Sequence, residues 1–269
     1  MTPPSAKKYL GAFLPMLGIA AVMGVSASRA DSETTKPVLG QEPTVVELFT
    51  SQGCSSCPPA DKVLGELDQR ADILALSLHV DYWDYIGWKD TFASPANTRR
   101  QRDYAHALHH RSIYTPEMII DGLYDVVGSD RDKVNSMIDH AKAARGNRVA
   151  VDVEFSQAMV TVKIAGGHAQ RPATVWLVRY DPEHTVAIGS GENRGREITY
   201  HNVVRTMTDI GTWSGAPLTI TFNHRALDSM PGVESAVIVQ YGKTGAILGA
   251  ANFARARNRD VVTASPVAE

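Results

Sequence analysis

Only two cysteines occur in the 269 residues, Cys54 and Cys57. A pair with two residues between its members cannot tie distant segments together, so a disulfide-stapled scaffold is excluded. A zinc ribbon, which needs a second such pair, is excluded as well. An excess of positive charge is also missing. Lys and Arg number 27 against 29 Asp and Glu, for a net charge of −2, and this leaves no electrostatic footprint for a nucleic-acid partner. The chain has no repeat at solenoid spacing and no low-complexity segment. Beyond residue 25 no segment is apolar enough to span a bilayer. What remains, 43% hydrophobic and 21% charged residues, is the composition of a globular protein with material for a large core and length for two domains.

The first 30 residues read as a secretory signal peptide. Lys7 and Lys8 precede an apolar run from Leu10 to Val25, and the small residues Ser26, Ala27, Ser28 and Ala30 follow. The run is 16 residues, short for a membrane span, so cleavage after Ala30 is favoured over an uncleaved anchor. The expected product is exported, periplasmic or secreted, with no membrane attachment once the signal is removed. Residues 31–43 are polar and aperiodic and read as a flexible lead-in, and 257–269 as a disordered tail.

Between these ends the periodicity changes once. Thr44 to Thr50 is a β-branched and aromatic run. Cys54-Ser55-Ser56-Cys57-Pro58-Pro59 then leads into Val63, Leu64 and Leu67 at helical spacing. Prolines are tolerated at the first helical positions, whose amides have no intrahelical partner. Asp72 to Val80 is almost continuously apolar, as a strand buried on both faces is. A polar and aromatic loop, a helix from about Pro95 to His110, and the run Met118 to Ile120 follow. Asp121-Gly122 is a hairpin signal before Leu123 to Val127. Ser129 with Asp132 resembles a capping box for a helix ending near Gly146. Residues 44–146 thus read β, α, β, α, β, β, α. From Arg148 the period is two, and seven or eight short strands up to residue 256 read as a separate all-β sandwich.

CxxC is the central chemical signal. The first cysteine lies just before a helix N-terminus, where free amides and the macrodipole stabilise a thiolate, and the second lies within reach to resolve a mixed disulfide. Cys54 is therefore the expected nucleophile and Cys57 the resolver. Ser55 and Ser56 are placed to donate hydrogen bonds to the Cys54 thiolate.

The strand, CxxC, helix order, with Thr115-Pro116 about 60 residues later before a strand and hairpin, resembles the thioredoxin superfamily. The strings VVELFTSQGCSSCPPAD, LHVDYWDYIGWKD, YTPEMIIDG and GENRGREITYHNVVR are similar to a family of secreted bacterial proteins of unknown function with a thioredoxin-like domain. The resemblance runs from about Pro43 to Ala251. It implies a thioredoxin-like α/β domain at 44–146. It also implies a redox site at Cys54 and Cys57, and a cis-proline loop at Thr115 and Pro116 whose backbone receives a substrate polypeptide. The Trp before and the Gly-Pro between the cysteines of thioredoxin itself are replaced here, so the resemblance does not set the direction of electron flow.

Other residues are candidates around that centre. Glu47, in a buried strand ahead of CxxC, is a candidate proton acceptor for Cys57 because burial raises a carboxyl pKa. The corresponding acid of thioredoxins lies one residue nearer the first cysteine. Tyr82, Trp83 and Trp88 are candidates for a client groove or a core cap. His79 ends the second strand and, with both cysteines, forms an alternative site for Cu(I) or Zn(II). His106, His109 and His110 fall on one helix face and read as a solvated stripe, the Gly189 to Gly195 segment as a turn, and Arg194 and Arg196 as surface ion-pair partners of Glu192.

The sequence therefore points to an exported thiol-disulfide oxidoreductase acting on polypeptide clients, with an unidentified recycling partner. It would need no cofactor beyond the Cys54–Cys57 disulfide. A metallochaperone built on Cys54, Cys57 and His79, and a non-catalytic binding module carried by the β-sandwich, are the alternatives.

Overall fold

A computed structural model of the chain describes residues 42–254, apart from 147, 157, 224, 226 and 228–231. The expected signal peptide, residues 31–41 and the tail lie outside the described residues.

The first half follows the sequence pattern closely. Strand β1 (Thr44–Thr50) leads to helix α1 (Pro58–Asp68), strand β2 (Ile73–His79), helix α2 (Pro95–Ala107), strands β3 (Glu117–Ile120) and β4 (Tyr124–Val127), and helix α3 (Arg131–Ala143). β1 and β2 are parallel, and β3 and β4 add antiparallel beside β1. β1 and β2 bury both faces, as their apolar runs require. On one face Val46, Leu48, Ile73 and Ala75 meet Val63, Leu64 and Leu67 of α1 and Val134 and Ile138 of α3. On the other, Val45, Phe49, Leu74, Leu76 and Leu78 pack with Tyr104 of α2. Each such aliphatic side chain contributes about 1.5–3 kcal/mol by leaving water.

Local chemistry sets the turns. Asp121 and Gly122 both have positive φ, 48° and 71°, the requirement of a type I′ hairpin turn. The Asp121 carboxylate also accepts the Val45 amide at 2.9 Å. Helix α3 is capped one residue later than the sequence pattern places it, by Asp130, whose side chain accepts the Lys133 amide at 3.2 Å.

The second half corrects the expectation of a separate sandwich. Strands β5 (Val151–Phe155), β6 (Met159–Ile164), β7 (Ala173–Ala187), β8 (Glu197–Trp213), β9 (Leu218–Asn223), β10 (Glu234–Tyr241) and β11 (Ile247–Asn252) divide between two sheets. β7, β8, β10 and β11 continue the first-half sheet, giving the order β11-β10-β7-β8-β2-β1-β3-β4, while β5, β6 and β9 form a small sheet. The small sheet packs on the large one through Val153, Val160 and Val162 against Val175, Trp213, Val237 and Leu248. Two layers therefore exist, but one is shared with the first half. Period-two alternation reports a strand with one buried face and does not say which sheet the strand joins.

Strand β7 also runs through Asp181-Pro182, where the sequence pattern breaks it in two. Its pairing with β10 ends at Tyr180 and Glu234. Beyond that point β7 has β8 as its partner, with pairs at Asp181 and Glu183 but none at Pro182. A strand with one free edge tolerates a residue without an amide donor. The long β7–β8 hairpin that results carries residues 188–196 past the end of the sheet.

Candidate functional site

Prolines 58 and 59 start α1 and make Cys57 its N-cap, with the amides of Ala60 and Asp61 donating to the Cys57 carbonyl at 2.8 and 3.1 Å. One turn earlier the Cys57 amide donates to the Cys54 carbonyl at 3.2 Å. This tight turn holds the two Cα atoms 5.4 Å apart, and the cysteines form a disulfide. Both are buried, Cys54 at 1% exposure and Cys57 at 0%, while Ser55 and Ser56 between them are exposed.

Two hydroxyls reach Cys54. Thr115 Oγ1 donates to Cys54 Sγ at 3.3 Å. Ser56 Oγ lies at 3.3 Å from the same sulfur and is the donor there, since a disulfide sulfur carries no proton. Trp83 Nε1 in turn donates to Thr115 Oγ1 at 2.8 Å, which orients that hydroxyl toward sulfur. The Thr115–Pro116 peptide is cis, and the Thr115 hydroxyl brings the Thr-Pro loop against the CxxC. Trp88 Nε1 donates to Gln52 Oε1 at 2.8 Å on the other side of the turn, and Tyr82 donates to Gln101 Oε1 at 3.2 Å. All three rings are half-buried against the core.

The β7–β8 hairpin covers this centre. Asn193, 1% exposed, donates from Nδ2 to the carbonyls of both Gln52 and Cys54 at 2.9 Å. Glu192 accepts the Ser55 amide at 3.3 Å, so its carboxylate serves the CxxC turn. Gly191, at φ 73°, lets the loop lie on Trp88, where a Cβ on residue 191 would come 3.2 Å from the Trp88 Cβ. The 189–195 segment is the turn its sequence suggests, and its position explains the GENRGR string.

Glu47 is not brought to the cysteines. Strand alternation places it on the α2 side of the sheet, opposite to α1, and there Arg100 Nε and Nη2 donate to its two oxygens at 2.7 and 3.0 Å. The Tyr104 hydroxyl also donates to it, and Gln240 closes the network by accepting from Arg100 at 3.0 Å. Glu47 is one half of a buried ion pair in which the Arg100 guanidinium matches its charge.

A different acid lies near Cys57. Asp61 is one helical turn beyond it, at i+4 on α1, and is 3% exposed. Its Oδ1 accepts from Thr50 Oγ1 at 2.9 Å, and its Oδ2 has no protein partner among the described residues. Burial pushes the carboxyl up to about 7, against the opposing influence of His79 and the Thr50 bond. Thr50, Ser77 and His79 share the α1-facing side of β1 and β2. His79 is fully buried, with Nδ1 2.7 Å from Asp90 Oδ2 and its ring edge-on to Tyr200 at 4.7 Å. Asp90 also accepts the amides of Gln52 at 2.7 Å and Phe92 at 2.8 Å. Burial works to raise its carboxyl, yet His79 and these bonds hold it below the usual range. His79 Nε2, Ser77 Oγ and Tyr200 Oη, like Asp61 Oδ2, are buried without a protein partner among the described residues. Buried polar groups thus gather on the α1 side of β1 and β2, the side of the sheet from which α1 carries Cys57 at its N-cap.

The sequence reading missed Asp61, Asp90, Glu192 and Asn193 as site residues. Asp61 stood in the string CSSCPPAD and Asn193 in GENRGR, but neither carries a chemical motif without the geometry. In this oxidised form the alternative metal set of Cys54, Cys57 and His79 has its two sulfurs bonded together, while His79 Nε2 has no protein partner among the described residues. His79 Nδ1 is engaged by Asp90.

Fold and site together define a mixed α/β protein of one large and one small sheet, with a buried CxxC disulfide opening its first helix beside a cis-proline loop. The chain belongs to the DUF1223 family of proteins of unknown function, whose profile matches residues 45–240. It is similar in structure to protein AGR_C_4864 from Agrobacterium tumefaciens, a structural-genomics target solved by crystallography. The two are 34% identical with a TM-score of 0.69, over 78% of this chain and 92% of that one. HBP35 of Porphyromonas gingivalis matches over 79% of this chain and 74% of its own, with a TM-score of 0.52 and 13% identity, a likeness of fold alone. No curated protein matches the chain.

Proposed function

We propose that this protein is an exported thiol-disulfide oxidoreductase whose residues 44–143 form a thioredoxin-like unit. The observation that carries the reading is the CxxC disulfide at the start of α1 with Thr115, of the cis Thr115–Pro116 peptide, hydrogen-bonded to Cys54 Sγ. The element order β1-α1-β2-α2-β3-β4-α3 and the strand order β2-β1-β3-β4 within the large sheet support it. No further cofactor is required, because the disulfide itself holds the two-electron oxidising equivalent.

In the oxidised form a client thiolate attacks Cys54 Sγ. The client S–Cys54 bond forms, the Cys54–Cys57 bond breaks, and Cys57 leaves with the electron pair, taking a proton from the Asp61 side. A second client thiolate then attacks the mixed disulfide, leaving the client oxidised and Cys54 as thiolate. The Ser56 and Thr115 hydroxyls stabilise that thiolate and lower its pKa. The reverse sequence reduces a client disulfide, with Asp61 accepting the Cys57 proton. A carboxyl titrating near 7 is matched to this exchange at neutral pH. Trp83, Tyr82 and Trp88 border the path of the polypeptide, and an exported redox partner returns the pair to its working state.

The test is a glutathione titration of the purified protein together with client trapping. A reversible pair with a potential between about −120 and −270 mV, and a Cys57→Ser variant that accumulates mixed disulfides through Cys54, are the expected results. A pair that does not exchange with glutathione would overturn the reading.

A further inference from the structure

The histidine stripe expected to be solvated ends differently at its last member. His109, at φ 61°, turns the chain after α2, and the His110 amide donates to the Ala105 carbonyl at 2.8 Å. Glu117 begins β3 directly after the cis Thr115–Pro116 bond, and Asp125 lies in β4. The register pairs Glu117 with Val127 and Ile119 with Asp125, so Glu117 and Asp125 are diagonal neighbours on one sheet face. A ligand atom from each of His110, Glu117 and Asp125 lies within 4.8 Å of the others. His110 Nε2 is 3.4 Å from an Asp125 carboxylate oxygen. Two donors at about 2.1 Å from a tetrahedral zinc are about 3.4 Å apart.

Glu117 supplies the independent observation. It is 1% exposed, and one oxygen accepts from Gln101 Nε2 at 2.7 Å. The other oxygen has no protein donor among the described residues. Asp125 accepts from the Tyr114 hydroxyl at 3.3 Å. Two carboxylates thus converge beside one imidazole, and burying such charge is costly unless it is matched by a counter-ion.

We propose that His110, Glu117 and Asp125 form a site for one divalent cation of the zinc class, bound by one imidazole nitrogen and two carboxylates with the remaining positions open to water. The site joins the segment after α2 to β3 and β4. It is separate from the cysteines and does not depend on the redox reading.

The experiment is a calorimetric titration of Zn2+ into chelator-stripped protein with its disulfide oxidised, accompanied by thermal unfolding of each preparation. One zinc per chain is expected, with a zinc-dependent rise in Tm. Glu117→Gln and His110→Ala should each weaken binding by at least about 100-fold, more than loss of a supporting partner alone costs, and abolish the Tm rise. A Cys54→Ser/Cys57→Ser variant should bind as the wild type does. If Glu117→Gln fails to fold, His110→Ala and Asp125→Asn, both at half-exposed positions, decide the matter. No binding by the oxidised wild type, binding unchanged in the ligand variants, or loss of binding with the cysteines would each overturn the site.

Discussion

Replacing Asp61 by Asn isolates the buried acid beneath the disulfide. The wild-type carboxyl is raised from 3.8 to about 7, a shift that corresponds to roughly 4 kcal/mol between its protonated and ionised forms. Because the folded state holds this proton more tightly than the unfolded chain, it binds more protons than the unfolded chain between pH 4 and 7. Stability from this group is therefore lost as pH rises through that window and is fully lost above it. Asparagine keeps an oxygen for the Thr50 hydroxyl and never ionises, so the difference in unfolding free energy between variant and wild type should rise by up to roughly 4 kcal/mol from pH 4 to pH 8. Taking the difference cancels the titrating groups that do not interact with Asp61, leaving its own titration and its coupling to His79 and Asp90. Urea unfolding of the oxidised proteins at pH 4, 5, 6, 7 and 8 measures it directly. The same variant should lose the inflection near pH 7 in the rate at which dithiothreitol opens the disulfide, because Cys57 then leaves without its proton donor. Parallel stability profiles for the two proteins would refute the burial argument. A shifted stability profile with an unchanged rate profile would leave Asp61 buried but remove it from the chemistry.

Three further outcomes follow from the same geometry. Glu47→Gln should cost about 3–5 kcal/mol in urea unfolding, since it strands Arg100 as an unmatched buried charge, while leaving the pH dependence of thiol exchange as in the wild type. An altered exchange profile would return Glu47 to the proton path. Asn193→Ala removes two hydrogen bonds from the hairpin to the CxxC turn, about 1–3 kcal/mol of local closure. Reduction by small thiols should accelerate roughly 5- to 100-fold with the global unfolding midpoint little changed, and an unaltered rate would show that the hairpin does not gate access. Gly122→Ala combines a φ of 71° with a Cβ only 2.2 Å from the Gly245 carbonyl oxygen, so a loss of at least about 1–3 kcal/mol is expected in thermal or urea unfolding.

What the sequence conveyed and what it withheld divide along a physical line. The disulfide, the Thr115–Pro116 loop and the Asp121–Gly122 turn depend on residue type and short spacing, and each stands where its chemistry puts it. The roles of Glu47 and Asp61 depended on which side of β1 faces which helix. Period-two alternation cannot resolve that in a strand apolar on both faces, and so the acid in the strand looked more eligible than the acid on the helix. His110 looked solvated because its carboxylate partners come from β3 and β4, and no spacing along α2 could reveal them. The boundary near residue 147 misled for a related reason, since a change of period marks a change of element type and not a break in the core. The hairpin shows what continuity of the sheet achieves. Pro182 is tolerated because β7 has outrun β10, and only an arm that outruns the sheet can place Asn193 on the Cys54 carbonyl and Glu192 on the Ser55 amide. A freestanding sandwich would have no such reach. The strands after residue 148 therefore serve the CxxC turn as well as the core, because the hairpin they form hydrogen-bonds to Gln52, Cys54 and Ser55.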